Sequence, residues 1–313
     1  MPKEKITSIG GQALMEGIMM VGPHKRVAAF CDKKGQITTE EIEFSPLSKR
    51  YPILKTPFIR GFFAMIDSFR CGYAALSLSA DHFLEDEEEE PSKLDKWLDE
   101  KLGEKGSNAI MSVAGVLGLL LAVLLFFFLP TFLVNLLYGV VGNLFAGWRS
   151  LLEGCLRLVI FLLYLAGVGQ MKDMKRLFMY HGAEHKTIFC YEKDMELTVE
   201  NVRKQTRFHP RCGTSFMVLI LIISIVVGFF IPFTNPFLRT FAKLLTIPVV
   251  MGIGYELLKF SSRHDNFLTR LISAPGLWVQ RLTTKEPTDD SMIEAAIEAM
   301  KAVIPENGED LIA

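Results

Sequence analysis

No charged residue occurs between Gly106 and Trp148, and that gap constrains the chain more than any other feature. Within it, 109–129 reads AIMSVAGVLGLLLAVLLFFFL. A helix needs about 20 apolar residues to cross the hydrocarbon of a bilayer, and this segment has the length. A soluble core helix is rarely so uniformly apolar, since one face must meet water. Pro130 is expected to break or kink the helix. Asn135, Gly139, Gly142 and Asn143 then mark 131–148 as a hairpin connection, a shallow re-entrant piece or an extra span.

Three more spans are expected, at about 151–171, 216–233 and 241–258. Glu153 and Arg157 lie four apart near the start of the second, a spacing that lets them pair on one helix face. Lys243 and Glu256 fall near the ends of the fourth, where long side chains snorkel to the interface. The 172–211 connection holds nine basic residues, whereas 131–149 holds only Arg149 and 234–240 only Arg239. The positive-inside rule therefore puts 172–211 in the cytoplasm. Four spans with both termini inside satisfy that count. The first 50 residues are polar, with no apolar core of a signal peptide, which agrees with a cytoplasmic N-terminus. The expected location is thus the bacterial cytoplasmic membrane, multi-pass, with the lipid bilayer and its anionic head groups as partners.

The fold class expected is mainly α: a polytopic helical membrane protein with about four transmembrane helices and a cytoplasmic cap. Residues 1–50 form a small β-containing unit, with Arg26–Cys31 and 36–44 as a hairpin around Asp32 to Gly35. The glycine-rich 10–17 before it reads as an ordinary loop. Residues 51–84 suit an amphipathic interfacial helix, 85–107 an acidic linker and approach, and 108–258 the membrane domain. Residues 259–313 form a C-terminal helical segment. There, 274–278 marks a turn into a short helix, and Ser291 and Glu294 have capping-box spacing. Ile293, Ile297, Met300 and Ile304 make one apolar stripe.

Composition narrows the function. Lys and Arg number 34 against 35 Asp and Glu, so no nucleic-acid partner is expected. Five widely spaced cysteines form no disulfide framework and suit a reducing compartment. Neither a Walker loop nor a dinucleotide fingerprint is present.

One constellation can carry chemistry. Tyr180-His181-Gly182-Ala183-Glu184-His185 is an H-x-x-E-H pattern. On a helix, His181 and His185 share a face one turn apart, so both imidazoles reach one divalent metal, zinc by ligand type. Glu184 points about 100° away and can act as general base. His209 is expected as the third ligand. Cys212 and Glu192 are further candidates, and Glu256 is one by its place in a span. The alternative is a pair of polar helix-surface histidines without an ion. His24, His82 and His264 are assigned no role.

GGQALMEGIMMVGP at 10–23, YHGAEHKTI at 180–188, HPRCGTSF at 209–216 and APGLWVQRLTT at 274–284 resemble the YqhQ-like bacterial membrane proteins. The resemblance covers nearly the whole chain. It implies a multi-span membrane protein of unknown function, grouped with predicted metal-dependent enzymes, and it adds Glu16 as a possible site member. It supplies no substrate. Two functions follow as expectations: metal-dependent hydrolysis of a peptide or lipid at the inner membrane face, or a non-enzymatic assembly, scaffold or transport factor with a structural metal or His cluster.

Overall fold

A computed structural model describes residues 5–32, 34–86, 113–142, 147–264 and 266–312. The chain is mainly helical, with one small antiparallel sheet near the N-terminus. The strands are β1 (Gly10–Leu14), β2 (Gly17–Val21), β3 (Arg26–Cys31) and β4 (Ile37–Glu41). The first helices are α1 (Leu47–Arg50), α2 (Ile59–Asp86), α3 (Val113–Val140), α4 (Arg149–Val168) and α5 (Lys172–Glu192). Then come α6 (Val199–Arg203), α7 (Gly213–Gly228), α8 (Pro236–Leu245), α9 (Ile247–Arg263), α10 (Phe267–Thr283) and α11 (Asp290–Val303). The chain divides into two compact units. One comprises 1–86, 162–223 and 248–313; the other comprises 87–161 and 224–247.

The first unit is built on the sheet, a meander in the order β1-β2-β3-β4. The β3–β4 hairpin forms where the sequence places it. Residues 10–17 do not form the loop expected of them. They build β1 and a tight turn into β2, with Leu14 opposite Gly17 and Glu16 at φ 49°. The reason lies in burial. Successive residues of a strand face opposite sides, and β2 is covered on both. Ile18 and Met20 pack with Val27 and Ala29 into a core shared with α5 and α11. Met19 packs with Leu14, Ala28 and Phe30 against Cys71 and Ala75 of α2. Such a strand reads as an unbroken apolar run, and the alternation that reveals strands is lost.

Helix α11 supplies Ile293, Ile297 and Met300 to the first core, as the apolar stripe predicts. Its N-cap is Asp289, and Ser291 lies inside the helix rather than capping it. Residues 274–278 likewise make no turn. Pro275 sits inside α10, which starts from an Asn266–Thr269 capping box. Gly276 seats this helix against Ser215, where a Cβ would fall 2.5 Å from the Ser215 Cα.

The second unit is apolar. α3 and α4 are each long and apolar enough to cross a membrane, and α8 with α9 forms a bent pair that would make a third span. α7, Gly213–Gly228, is apolar but short, so among the described residues there are two full-length candidate spans, or three if the bent pair is one span, rather than the four expected. Along the first turns of α3, over 113–121, the side chains face outward; Val116 is 57% and Leu119 65% exposed. Pro130 does not end this helix. Residues Leu124–Phe128 widen into a π-helical turn, with the Leu129 N–H donating to the Leu124 carbonyl. The wider turn accommodates a proline that lacks an N–H and crowds the preceding carbonyls. Residues 143–146 and 109–112 lie outside the described residues.

Candidate metal centre

Helix α5 carries the site on its buried second half. Tyr180, Glu184, His185 and Ile188 are all enclosed. Gly182 is required there. The extended chain after α10 lies so close that a Cβ at Gly182 would fall 1.9 Å from the Lys285 carbonyl oxygen. Lys285 N–H donates back to the Phe178 carbonyl at 2.8 Å. This close approach carries the Thr283 carbonyl to His181.

His181 and His185 lie one turn apart, their rings edge to face with centroids 4.4 Å from each other. Each Nδ1 faces a backbone carbonyl: His181 that of Thr283 at 2.8 Å, His185 that of Arg207 at 2.5 Å. A carbonyl only accepts, so each Nδ1 carries a proton, and each Nε2 is the ring atom left to face an ion. The same outer hydrogen bond orients metal-binding histidines in general. His181 Nε2 lies 3.2 Å from Cys212 Sγ. His185 Nε2 is buried and has no partner.

Cys212 completes the group. It sits in the turn that opens α7, with Thr214 Oγ1 at 3.2 Å. One donor atom each from His181, His185 and Cys212 lie within 4.8 Å of one another. Bonds of about 2.0–2.3 Å to a single ion would close that triangle if the longest pair drew in by roughly 1 Å. Burial by itself would raise the Cys212 thiol; His185 and His181 outweigh it and hold the thiol well below its usual range. At His181 burial works against the charged ring, but the Cys212 charge prevails and the pKa is pushed up to about 9. A cation entering the site would take the place of that proton.

Glu184 stands beside the triangle. Burial pushes its carboxyl up, against the pull of His181 and His185. One oxygen, Oε2, is buried without a partner. β1 packs against this carboxylate at Gly11. A Cβ at Gly11 would crowd it, 2.9 Å from Cδ. That explains the glycine in the first sequence block.

The remaining candidates are placed differently. The His209 ring lies 5.6 Å from that of His185, centroid to centroid. Its nitrogens are engaged elsewhere: Nδ1 accepts from the Arg211 N–H at 3.3 Å and Nε2 lies 3.4 Å from Glu192. Among the described residues, the group whose atoms lie close enough to share an ion is His181, His185 and Cys212, and His209 is not in it. Glu192 also binds Arg211 and accepts from the Thr7 N–H. Glu16 is held by Arg176 at 2.5 Å through both oxygens. Glu256 pairs with Arg60 and accepts from the Phe58 N–H. A guanidinium neutralises each of these three carboxylates.

Gln280 is the residue that sequence reasoning passed over. Fully buried on α10, it accepts the His209 N–H at 2.7 Å and donates to the His209 carbonyl at 2.7 Å and to Ser215 at 3.0 Å. It thereby fixes the turn that presents Cys212. Its only sequence signal is membership of the block at 274–284.

The family model described as "Protein of unknown function (DUF1385)" matches residues 56–306. The chain is 34% identical to the uncharacterized protein YqhQ of Bacillus subtilis (strain 168), over 97% of this chain and 95% of that protein. No solved structure matches.

Proposed function

This chain belongs to the family of proteins of unknown function DUF1385, and on that premise we propose that it is an integral protein of the bacterial cytoplasmic membrane with a zinc-type centre that hydrolyses a peptide or lipid at the cytoplasmic face. The observation that carries the reading is the convergence of His181, His185 and Cys212 with both Nδ1 atoms fixed on carbonyls. The orphaned Nε2 of His185 and Oε2 of Glu184 supply the second support. Buried polar atoms without partners are costly, and an ion with its water would satisfy both. Two imidazoles and a thiolate are borderline-soft donors that suit zinc.

The bound ion would supply Lewis acidity and make hydroxide available near neutral pH. The chain's residues do the rest. The Thr283 and Arg207 carbonyls hold the imidazoles in one tautomer. Glu184 takes the proton of the attacking water and returns it to the leaving group. The outward-facing apolar side chains of α3 support the membrane reading. The basic excess in 172–211 supports the cytoplasmic side.

The test is elemental analysis of the purified full-length protein and of His185→Ala, Cys212→Ser and His24→Ala. We expect about one equivalent of transition metal in the parent and in His24→Ala, and a sharp loss in the other two. Equal content in all four would overturn the reading. For the orientation, a cysteine introduced by Lys193→Cys should resist an impermeant thiol reagent in intact cells; labelling there without permeabilisation would reverse it.

A second reading has its own observation. His185, Glu184 and Cys212 are only 1%, 5% and 7% exposed. A centre so enclosed also suits a closed four-donor structural site with Glu184 as fourth ligand. Glu184→Gln separates the two. Retention of metal with loss of complementation supports hydrolysis. Loss of metal supports the closed structural site.

A further inference from the structure

The apolar unit holds a second buried polar cluster, independent of the metal reading. Among its described residues there is one carboxylate, Glu153, and four cationic side chains: Arg149, Arg157, Arg239 and Lys243. Glu153, Arg157, Arg239 and Lys243 are 1%, 4%, 3% and 7% exposed. Glu153 does not make the helix-face pair with Arg157 that the i, i+4 spacing suggests, and Lys243 does not snorkel. Glu153 accepts instead from Arg239 at 2.9 and 3.0 Å, from Lys243 at 2.5 Å and from Arg149 at 3.1 Å. Both its oxygens are thereby committed. Arg239 spends its remaining donors on Ser150 and on the carbonyls of Gly228, Ile231 and Phe233.

Arg157 is left over. Its Nη1 donates to Ser224 at 2.9 Å, and its guanidinium lies 5.0 Å from the Phe127 ring centroid. Its Nε is buried with no hydrogen-bond partner. It lines a cavity of about 10 Å³ together with Lys243, Ser150, Ser224, Glu153 and Gly154. That volume suits a single water-sized occupant. α4 and α7 meet there, because Gly154 lacks the Cβ that would fall 2.1 Å from Ile225.

An uncompensated buried charge is expensive, so it pairs or attracts a counter-ion. An ionisable cluster among membrane-type helices is a functional candidate by default. We infer that the cavity beside Arg157 and Lys243 is a binding site for one small inorganic anion of the size of chloride. The excess positive charge sets the sign of the ligand. The volume, at the lower end of what one water needs, limits the ligand to a monatomic ion that the lining side chains give way to slightly, and it excludes phosphate or a lipid head group. Ser150 and Ser224 complete the lining.

The full-length protein in a non-ionic detergent provides the test. Thermal unfolding is followed while sodium chloride replaces sodium gluconate at constant ionic strength. A ligand that binds only the native state raises Tm saturably, and we expect that rise with chloride and with bromide but not with phosphate. Arg157→Gln removes the charge and should weaken the chloride effect by on the order of tenfold or more. Arg157→Lys keeps the charge and should retain part of the rise. An identical Tm in chloride and gluconate for the parent protein would overturn the site, and this measurement needs no variant to fold. An undiminished chloride response in Arg157→Gln would overturn it equally, because the ion would then bind elsewhere.

Discussion

Glu153 and Glu184 are both almost completely buried, yet their surroundings are opposite. Glu153 is saturated by two arginines and a lysine. Glu184 pairs with no guanidinium or ammonium group among the described residues and has an oxygen with no partner. The same contrast extends to their neighbours. Around Glu184 the spare atoms are lone pairs, on His185 and on the carboxylate itself, and the deficit is of positive charge. Around Glu153 the spare atom is a donor, Arg157 Nε, and the deficit is of negative charge. A buried polar cluster thus announces its missing partner by what it leaves unsatisfied. The two clusters leave opposite kinds of atom unsatisfied, acceptors at one and a donor at the other.

The contrast breaks most sharply at Glu153. Glu153→Gln leaves Arg239 and Lys243 buried without a counter-charge, and breaking a buried pair this way costs about 3–5 kcal/mol. Chemical denaturation in detergent should show that loss, partly recovered in high chloride. A cost near zero would mean that the cluster is hydrated rather than enclosed. Gly182→Ala comes next. The added Cβ collides with backbone, and overpacking of this kind costs about 1–3 kcal/mol. It should also displace the Thr283 carbonyl from His181 and lower metal content, which elemental analysis reads directly.

Gln280→Ala should cost about 1–3 kcal/mol, because the His209 N–H and carbonyl lose their partner. Metal content would fall with it if the turn positions Cys212. An unchanged metal content would show that Cys212 is held by Thr214 and α7 alone. The smallest effect is expected at Glu184. Glu184→Gln removes a poorly satisfied buried charge, so stability should change by less than about 1 kcal/mol. A large destabilisation there would erase the distinction from Glu153.

Local geometry explains what could be read in advance. His181 and His185 lie four apart on one helix, so their convergence needs nothing beyond helical periodicity. The stripe on α11 follows from the same rule. The third donor does not. Choosing between His209 and Cys212 depends on the path of the loop from 193 to 211 and on a glutamine on α10, some 70 residues further along the chain. β2 was hidden because burial on both faces removes alternation. Pro130 does not end the helix, because the π-turn before it is a local adjustment of backbone that no residue type signals.

By itself the sequence determined the apolar helices, the β3–β4 hairpin, the helix face carrying two imidazoles, and the absence of a disulfide framework. Each of these is set by neighbours within one or two turns or by composition. Only the tertiary structure decided which carboxylates are neutralised. Glu16, Glu192 and Glu256 are bound to Arg176, Arg211 and Arg60, while Glu184 keeps a free oxygen. It also decided that Glu153 turns from Arg157 to Arg239 and Lys243. The physical reason is that a buried charge takes whichever partner packing brings within hydrogen-bonding distance, and Glu16 and Glu256 draw theirs from well over a hundred residues away.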